Sequence, residues 1–264
     1  MELTGHLTED RLIAYFAGEL DVDRMRRIEA HAKNCPPCKR EFVIYRTLFS
    51  GLIAMLKKGD EQITPARIRE ALKENLKKNQ VFYSILHIPN FASVLVAKTT
   101  AGLAAVIMGK LTQFEFEERL KRYFPKQWIV ESLDDTEEAR LQFEQYFFQE
   151  RTVIDLPIDP VLIRSEFQKQ VLQALRDIPY GHFITYGALA RRIGKPKATQ
   201  AVGRALGANP LPIVYPCHRV VAGRGRLGGF SAGEVLKLKL LEIEGVHYPH
   251  TSRQLNLFGS FGEG

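Results

Sequence analysis

The sharpest chemical feature of the sequence is a cysteine followed directly by a histidine, in the run Pro216-Cys217-His218-Arg219-Val220. A thiol becomes a strong nucleophile only as the thiolate, and a neighbouring histidine and basic groups can lower its pKa. A cysteine and a histidine also stand together by chance, so a buried structural cysteine is the alternative interpretation. The residues around the pair have to decide between the two.

Two short helices are predicted before the cysteine, from Thr185 to Gly194 and from Ala198 to Ala208. Lys195-Pro196-Lys197 joins them, and this spacing is typical of a helix-turn-helix. Residues 160–250 carry 13 Lys and Arg against 5 Asp and Glu, which favours a polyanion partner. A DNA-binding unit therefore adjoins a candidate nucleophile, and a helical hairpin with an unrelated cysteine is the weaker alternative.

Residues 165–245 resemble the catalytic domain of the O6-alkylguanine-DNA alkyltransferases, which carry a Pro-Cys-His-Arg-Val signature. Further motif residues occur in the family's order: Tyr186, Asn209-Pro210, Gly229-Phe230-Ser231 and Glu244-Gly245. Residues 81–157 are similar, more loosely, to the N-terminal α/β domain of the same family.

The resemblance implies direct repair of O6-alkylguanine in double-stranded DNA, with O4-alkylthymine as a second substrate. Cys217 would take the alkyl group, His218 would accept the thiol proton through a water, and Glu244 would stabilise the imidazolium. The transfer needs no cofactor. A thioether has no easy route back to a thiol, so each chain would react once.

The resemblance also implies roles for residues around the base. Tyr186 would donate a hydrogen bond to the departing guanine, and Asn209 would brace the turn that carries the cysteine. Ser231 would hydrogen-bond guanine O6, and Val220 would help to line the base pocket with backbone acceptors.

The recognition helix departs from the family at one position. The family usually has an arginine that fills the gap left by the extruded base, and the matching residue here is Gln200, with Arg204 one turn further on. Contacts to DNA are predicted for Gln200, Arg204, Lys197 and Arg219. A non-catalytic damage sensor on the same fold is an alternative function, although such relatives replace the cysteine.

The N-terminal region contains a second group of chemically active residues, His31, Cys35 and Cys38, with the spacing of metal ligands. A closed tetrahedral zinc site needs a fourth ligand, and His6 is the best candidate. A redox-active dithiol and a plain turn are the alternatives.

The arrangement resembles the zinc-binding anti-sigma-factor domain, whose members also have the Gly18-Glu19-Leu20 motif. This resemblance implies a structural zinc ion, and a sigma factor or another protein as a partner of residues 1–58. A zinc-dependent transcription regulator is therefore another alternative function.

The chain as a whole is expected to be a multidomain protein of the α and α+β classes. Its segments are a helical zinc-binding head (1–58), a helical connector (59–80), a ribonuclease-H-like α/β module (81–157), a mainly helical catalytic domain with the helix-turn-helix (158–250) and a flexible tail (251–264). The connector is predicted to be solvated because the helix from Ala66 to Lys78 is so highly charged.

The tail contains Gln254-Leu255-Asn256-Leu257-Phe258, which resembles the pentapeptide that docks bacterial repair proteins on the sliding clamp. A tail that packs against its own domain is the alternative.

Three cysteines are too few for a disulfide framework. The first residues do not resemble a signal peptide, and the most apolar window, residues 91–108, is too interrupted for a membrane span. A cytoplasmic protein without a membrane partner is therefore expected.

Overall fold

The computed structural model describes residues 6–56, 64–223 and 226–248. The chain divides into two compact units between Gln80 and Val81. The tail motif from Gln254 to Phe258 lies outside the described residues, so clamp binding stays a prediction. No helix among the described residues is long and apolar enough to cross a bilayer.

The first unit is a helical head, as the sequence predicts. Its helices are α1 (Glu9–Ala17), α2 (Val22–Asn34), α3 (Pro36–Leu56) and α4 (Pro65–Lys78). Gly18 ends α1 with a left-handed φ of 74°, and the Asp21 side chain caps α2 by accepting from the backbone N–H of Arg24 at 2.8 Å. Pro36 and Pro37 follow α2 and occupy the first turn of α3. In that turn a backbone N–H has no partner within the helix, so the missing N–H groups of the two prolines leave no helical hydrogen bond unmade.

Helix α4 is not the solvated connector that its charge content predicts. Ile68, Leu72 and Leu76 are buried, and the helix packs against α1 and α3. Arg69 also hydrogen-bonds Glu19 of the segment after α1, with Nε donating to Oε1 at 2.8 Å. An amphipathic helix can carry many charges on its outer face and still bury an apolar stripe, and that stripe joins α4 to the head.

The second unit begins with a four-stranded sheet in the order β3-β2-β1-β4. The strands are β1 (Gln80–His87), β2 (Ser93–Thr99), β3 (Gly102–Gly109) and β4 (Trp128–Glu131), with β1 antiparallel to β2 and β2 antiparallel to β3. Helices α5 (Gln113–Tyr123) and α6 (Leu133–Phe147) follow strands β3 and β4. Apolar alternation in the sequence predicts strands over 81–87, 93–97 and 104–108, and amphipathic patterns predict helices over 114–123 and 137–149, in agreement with β1 to β3, α5 and α6. Strand β4 is not predicted, because it is too short to show a periodic pattern.

The remainder of this unit is mainly helical. Its elements are α7 (Glu166–Leu175), β5 (Ile184–Thr185), α8 (Tyr186–Arg192), α9 (Thr199–Gly207), β6 (Val220–Val221) and α10 (Glu234–Ile243). Helices α8 and α9 form the predicted helix-turn-helix. Thr185 caps α8 by accepting from the N–H of Ala188, and Gly194 turns the chain with a φ of 71°.

One hydrophobic core runs through the second unit. It joins Val94 and Val106 of the sheet, Phe143 of α6, Leu172 of α7 and Val202 of α9. The turn that carries Cys217 closes over the same core. The α/β module and the helical part are thus packed into one body, and side chains of the module can reach the cysteine.

Candidate active site

Cys217 lies in a single 3-10 turn, Cys217–Arg219. The apolar run Ile213-Val214-Tyr215 before it predicts a strand instead. Prolines at positions 210, 212 and 216 remove the N–H groups that a strand would donate, and Ile213 adopts a φ of 76°. The strand begins only after the turn, where β6 pairs in parallel with β5. The cysteine is therefore presented at a bend and is 3% exposed.

Asn209 holds this turn with three hydrogen bonds. Its Nδ2 donates to the carbonyl oxygen of Tyr215 at 2.8 Å and to Sγ of Cys217 at 3.1 Å. Its Oδ1 accepts from the N–H of Leu211 at 3.0 Å. The side chain thus fixes the position of the sulfur from inside the core.

The sulfur is protonated at rest. Burial raises the pKa of the Cys217 thiol to about 11, although the hydrogen bond from Asn209 and the charge of Lys237 act in the opposite direction. A thiol with this pKa is a poor nucleophile at neutral pH. Its chemistry depends on a base that removes the proton.

His218 and Glu244 supply the parts of such a base. Nε2 of His218 lies 2.8 Å from Oε1 of Glu244, and both side chains are fully buried. Burial lowers the pKa of His218 and outweighs the opposing effect of Glu244, so the ring is neutral. A neutral imidazole carries one N–H, and the carboxylate fixes it on Nε2. The lone pair is then on Nδ1, and Nδ1 is the buried side-chain atom of the described residues that has no hydrogen-bond partner.

Glu244 is held as a carboxylate by several donors. The guanidinium of Arg219 donates to Oε2 at 2.9 Å and to Oε1 at 2.8 Å, and the hydroxyl of Tyr146 donates to Oε1 at 2.7 Å. The backbone N–H of Gly181 donates to Oε2 at 3.2 Å. Burial alone would raise the pKa of Glu244, but the hydrogen bonds and charges of His218 and Arg219 overcome it and lower the pKa to about 2.

Arg219 does not occupy the DNA-contacting position that the sequence predicts. It is 6% exposed, and its Nη1 donates to the carbonyl oxygen of Ile178 at 2.6 Å. The buried carboxylate of Glu244 requires a paired cation, and Arg219 is that cation. The guanidinium therefore belongs to the core network.

A cleft of about 720 Å³ lies beside the turn, between the helix-turn-helix and the loop before α10. Tyr186, Gln200 and Ser231, which the sequence analysis assigns to contacts with the substrate or the DNA, line this cleft together. Burial raises the pKa of Tyr186, so its hydroxyl keeps its proton, which it donates to the carbonyl oxygen of Gly229 at 3.0 Å. The predicted DNA-contacting residues Lys197 and Arg204 are exposed near this cleft, before and on α9.

Lys237 is a buried cation that the sequence analysis missed. Its Nζ donates to the carbonyl oxygens of Val220 at 2.6 Å and Leu227 at 2.7 Å, and it lies 5.6 Å from the ring centre of Tyr186. Burial lowers its pKa to about 8. Lys237 and Glu244 are seven residues apart, which places them on one face of a helix. That spacing is the pattern that could have identified Lys237.

Tyr146 was missed for a different reason. It lies on α6, 72 residues before His218, and its position on the apolar face of an amphipathic helix predicts only a core role. No local spacing connects it to Glu244. Only the shared core of the second unit brings the two together.

The head contains the cluster that its sequence predicts. One ligand atom each from His6, His31, Cys35 and Cys38 lies within 4.8 Å of all the others. Nε2 of His31 is 3.3 Å from Sγ of Cys38, and Nδ1 of His6 is 3.3 Å from Sγ of Cys35. The N–H of Leu7 donates to Sγ of Cys38 at 3.2 Å. These separations fit four ligands placed tetrahedrally about one zinc ion at ordinary zinc–nitrogen and zinc–sulfur distances.

Comparison with known proteins finds a family match for the region around Cys217 and another for the head. Residues 166–246 match a family described as "6-O-methylguanine DNA methyltransferase, DNA binding domain", and residues 7–39 match a family described as "Putative zinc-finger". A methylated-DNA–protein-cysteine methyltransferase of Methanosarcina acetivorans is 39% identical over 165 residues, which cover 62% of this chain and 99% of the relative.

Solved structures agree with the sequence relatives. The O6-methylguanine methyltransferase of Mycobacterium tuberculosis has a TM-score of 0.54 at 34% identity, over 67% of this chain and 99% of that one. The structure of the enzyme from the same organism in complex with DNA has a TM-score of 0.52 at 31% identity, over 68% and 99%. The second unit therefore has the mixed α/β fold of these proteins.

Proposed function

The chain belongs to the family of methylated-DNA–protein-cysteine methyltransferases, and from this premise we propose how its own residues repair alkylated DNA. The protein transfers a methyl or alkyl group directly from O6-alkylguanine in DNA to one of its cysteines, once per chain. The observation that supports these roles best is that Nδ1 of His218 has no hydrogen-bond partner, although His218 is the residue next to Cys217. Nδ1 is therefore the atom that can accept the thiol proton.

We infer the following path for the atoms. The thiol proton of Cys217 passes through a water to Nδ1 of His218, and the imidazolium is stabilised by Glu244 through Nε2. The thiolate attacks the alkyl carbon, a sulfur–carbon bond forms, and the carbon–O6 bond breaks with its electron pair left on the guanine. Tyr186 donates a hydrogen bond to the departing base, which offsets the charge that develops there, and the base takes its proton from solvent. The test is the intact mass of the chain after incubation with an O6-methylguanine oligonucleotide.

The DNA contacts that we assign to α9 would support extrusion of the damaged base from the duplex. Gln200 is exposed on α9 and lines the cleft, which supports its assignment as the residue that fills the gap in the base stack. Extrusion costs a few kcal/mol, and an uncharged filler supplies no attraction to the phosphates. Lys197 and Arg204 are exposed nearby and supply that attraction in our assignment.

We expect Gln200→Arg to speed the reaction with duplex DNA several-fold and to leave the reaction with single-stranded DNA little changed. Only the duplex demands extrusion, and a longer side chain fills the vacated stack better. Single-turnover rates on the two substrates measure the effect. Gln173→Arg on α7 adds the same charge as a control. Equal acceleration on both substrates would mean that the arginine only adds attraction to phosphates.

We propose that the head binds one zinc ion through His6, His31, Cys35 and Cys38. The metal would supply folding energy to a small unit and take no part in alkyl transfer. A sigma factor or another protein as the partner of the head, and a sliding clamp as the partner of Gln254 to Phe258, stay predictions that rest on sequence resemblance.

We expect Cys35→Ala to reduce bound zinc from one ion per chain to none and to make the head sensitive to proteolysis. Removing one thiolate opens the tetrahedron, and the remaining ligands hold the ion poorly. Elemental analysis and limited proteolysis measure both effects, and Lys33→Ala, an exposed change in α2, is the control. If the unaltered protein contains no metal and Cys35 is oxidised to Cys38, the dithiol alternative is correct.

A further inference from the structure

A second cavity, of about 320 Å³, adjoins the turn that carries the cysteine. Its walls include Met108 of β3, Arg119 and Arg122 of α5, and Pro212 and Ser231 of the loops beside Cys217. We call it the α5 cavity. It is distinct from the cleft of about 720 Å³ that Tyr186 and Gln200 line, which we call the DNA-facing cleft. Ser231 lines both.

The α5 cavity lies next to the reacting sulfur. Asn209 lines it, and Nδ2 of Asn209 donates to Sγ of Cys217 at 3.1 Å. The proposed function places the alkyl carbon at Sγ and the guanine in the DNA-facing cleft. The atoms of a longer alkyl group beyond that carbon then need a space near Asn209 and Ser231, and both of these residues line the α5 cavity.

The residues that line the α5 cavity indicate which kind of alkyl group would fit it. Buried residues of β3 supply an apolar wall, which suits methylene groups. Arg119 and Arg122 also line the cavity, both are exposed, and neither forms an ion pair within 4.0 Å among the described residues. On the same helix, Glu118 is paired with Lys121 at 3.1 Å, and the pKa of Glu115 is lowered mainly by hydrogen bonds from Thr112 and to a smaller extent by the charge of Arg119. Two guanidinium groups beside an apolar wall fit a carboxylate.

We propose that the α5 cavity binds the distal part of the alkyl group, and that Arg119 and Arg122 favour alkyl groups that end in a carboxylate. The inference rests on the proposed function, because it uses the same attack by Cys217. The sulfur forms a bond to the first carbon of the group, the carbon–O6 bond breaks with its electron pair on the guanine, and the thiol proton goes to His218. The carboxylate does not react and stays beside the two guanidinium groups, as part of an S-carboxyalkyl cysteine.

Three oligonucleotide duplexes of one sequence test the proposal. They carry O6-methylguanine, O6-(3-carboxypropyl)guanine or its neutral amide, O6-(3-carbamoylpropyl)guanine. We expect Arg119→Gln combined with Arg122→Gln to slow the transfer of the carboxypropyl group about tenfold and to change the other two rates less than twofold. Both side chains are exposed, so the fold should survive, and the thermal unfolding temperature checks this. Lys121→Gln removes one positive charge from α5 outside the cavity and should change none of the rates.

Each other outcome has a defined meaning. An equal loss on all three duplexes would place the arginines on the DNA backbone and overturn the proposal. An unchanged carboxypropyl rate would also overturn it. If the unaltered protein takes up no methyl group, the proposed function fails and the α5 cavity proposal fails with it. Methyl transfer without the selective loss removes the α5 cavity proposal alone.

Discussion

Replacing Cys217 by serine should abolish alkyl uptake from O6-methylguanine DNA while leaving DNA binding intact. A hydroxyl is far harder to deprotonate than a thiol, and burial has already lowered the pKa of the neighbouring base, His218. We expect a loss of at least about 10³-fold in the single-turnover rate. The DNA contacts assigned here lie on α9 and its approach, away from the substituted atom, so affinity for the duplex should not change.

Intact mass and peptide mass are the measurements. The unaltered chain should gain the mass of one methyl group in place of one hydrogen, located on Cys217, and the Cys217→Ser chain should gain none. Binding of an O6-methylguanine duplex, measured by fluorescence anisotropy, shows whether the variant is folded. A methyl group on Cys35 or Cys38, or more than one group per chain, would contradict transfer to a single buried cysteine.

Replacing Glu244 by glutamine should destabilise the second unit by about 3–5 kcal/mol. The change leaves the buried guanidinium of Arg219 without its counter-ion and replaces an acceptor of the Tyr146 hydroxyl. Urea unfolding followed by the fluorescence of Trp128, the single tryptophan, measures the free energy of unfolding. Glu242→Gln, an exposed change two residues away, is the matched control and should stay within about 0.5 kcal/mol. A result for Glu244→Gln as small as the control would mean that the network does not hold the fold.

The same network predicts how the protein responds to acid. The folded pKa of Glu244 is about 2, below its ordinary value of 4.5, so its contribution is complete above pH 4.5 and is lost as the pH falls towards 2. The pKa of His218 is also lowered from 6.5, so unfolding takes up a proton at that residue and acid destabilises the fold from about pH 6.5 downwards. Glu244→Gln should remove only the lower part of this profile.

Local patterns predict most of the elements. The strands β1 to β3, the serine cap of α7 at Ser165 and the helix-turn-helix all follow from alternation, capping residues and glycine placement within a few neighbouring residues. The zinc-ligand cluster is predictable for the same reason, since His31, Cys35 and Cys38 lie within eight residues of each other.

What the sequence does not predict depends on contacts between distant segments. The burial of Arg219 against Glu244, 25 residues later, cannot be seen from a basic block that otherwise faces solvent. The 3-10 turn at Cys217 overrides an apolar pattern typical of a strand because prolines and Asn209 act together. The charges of α4 hide its apolar stripe for a similar reason, since the stripe has meaning only once α1 is packed against it.

The hydroxyl of Tyr146 has a consequence for how far the protein can be shortened. The segment that carries all the reacting groups, residues 166–246, is recognised as a family unit by itself, yet one of the donors that hold Glu244 comes from α6, outside that segment. A fragment cut at residue 158 would lose this donor and also Phe143 and Phe147, which pack in the same core. Such a fragment would keep the helix-turn-helix surface but would lose one of the hydrogen bonds that hold Glu244, the partner of the catalytic base His218. We therefore expect the α/β module to be needed for full activity, although none of its side chains is assigned a bond-forming step.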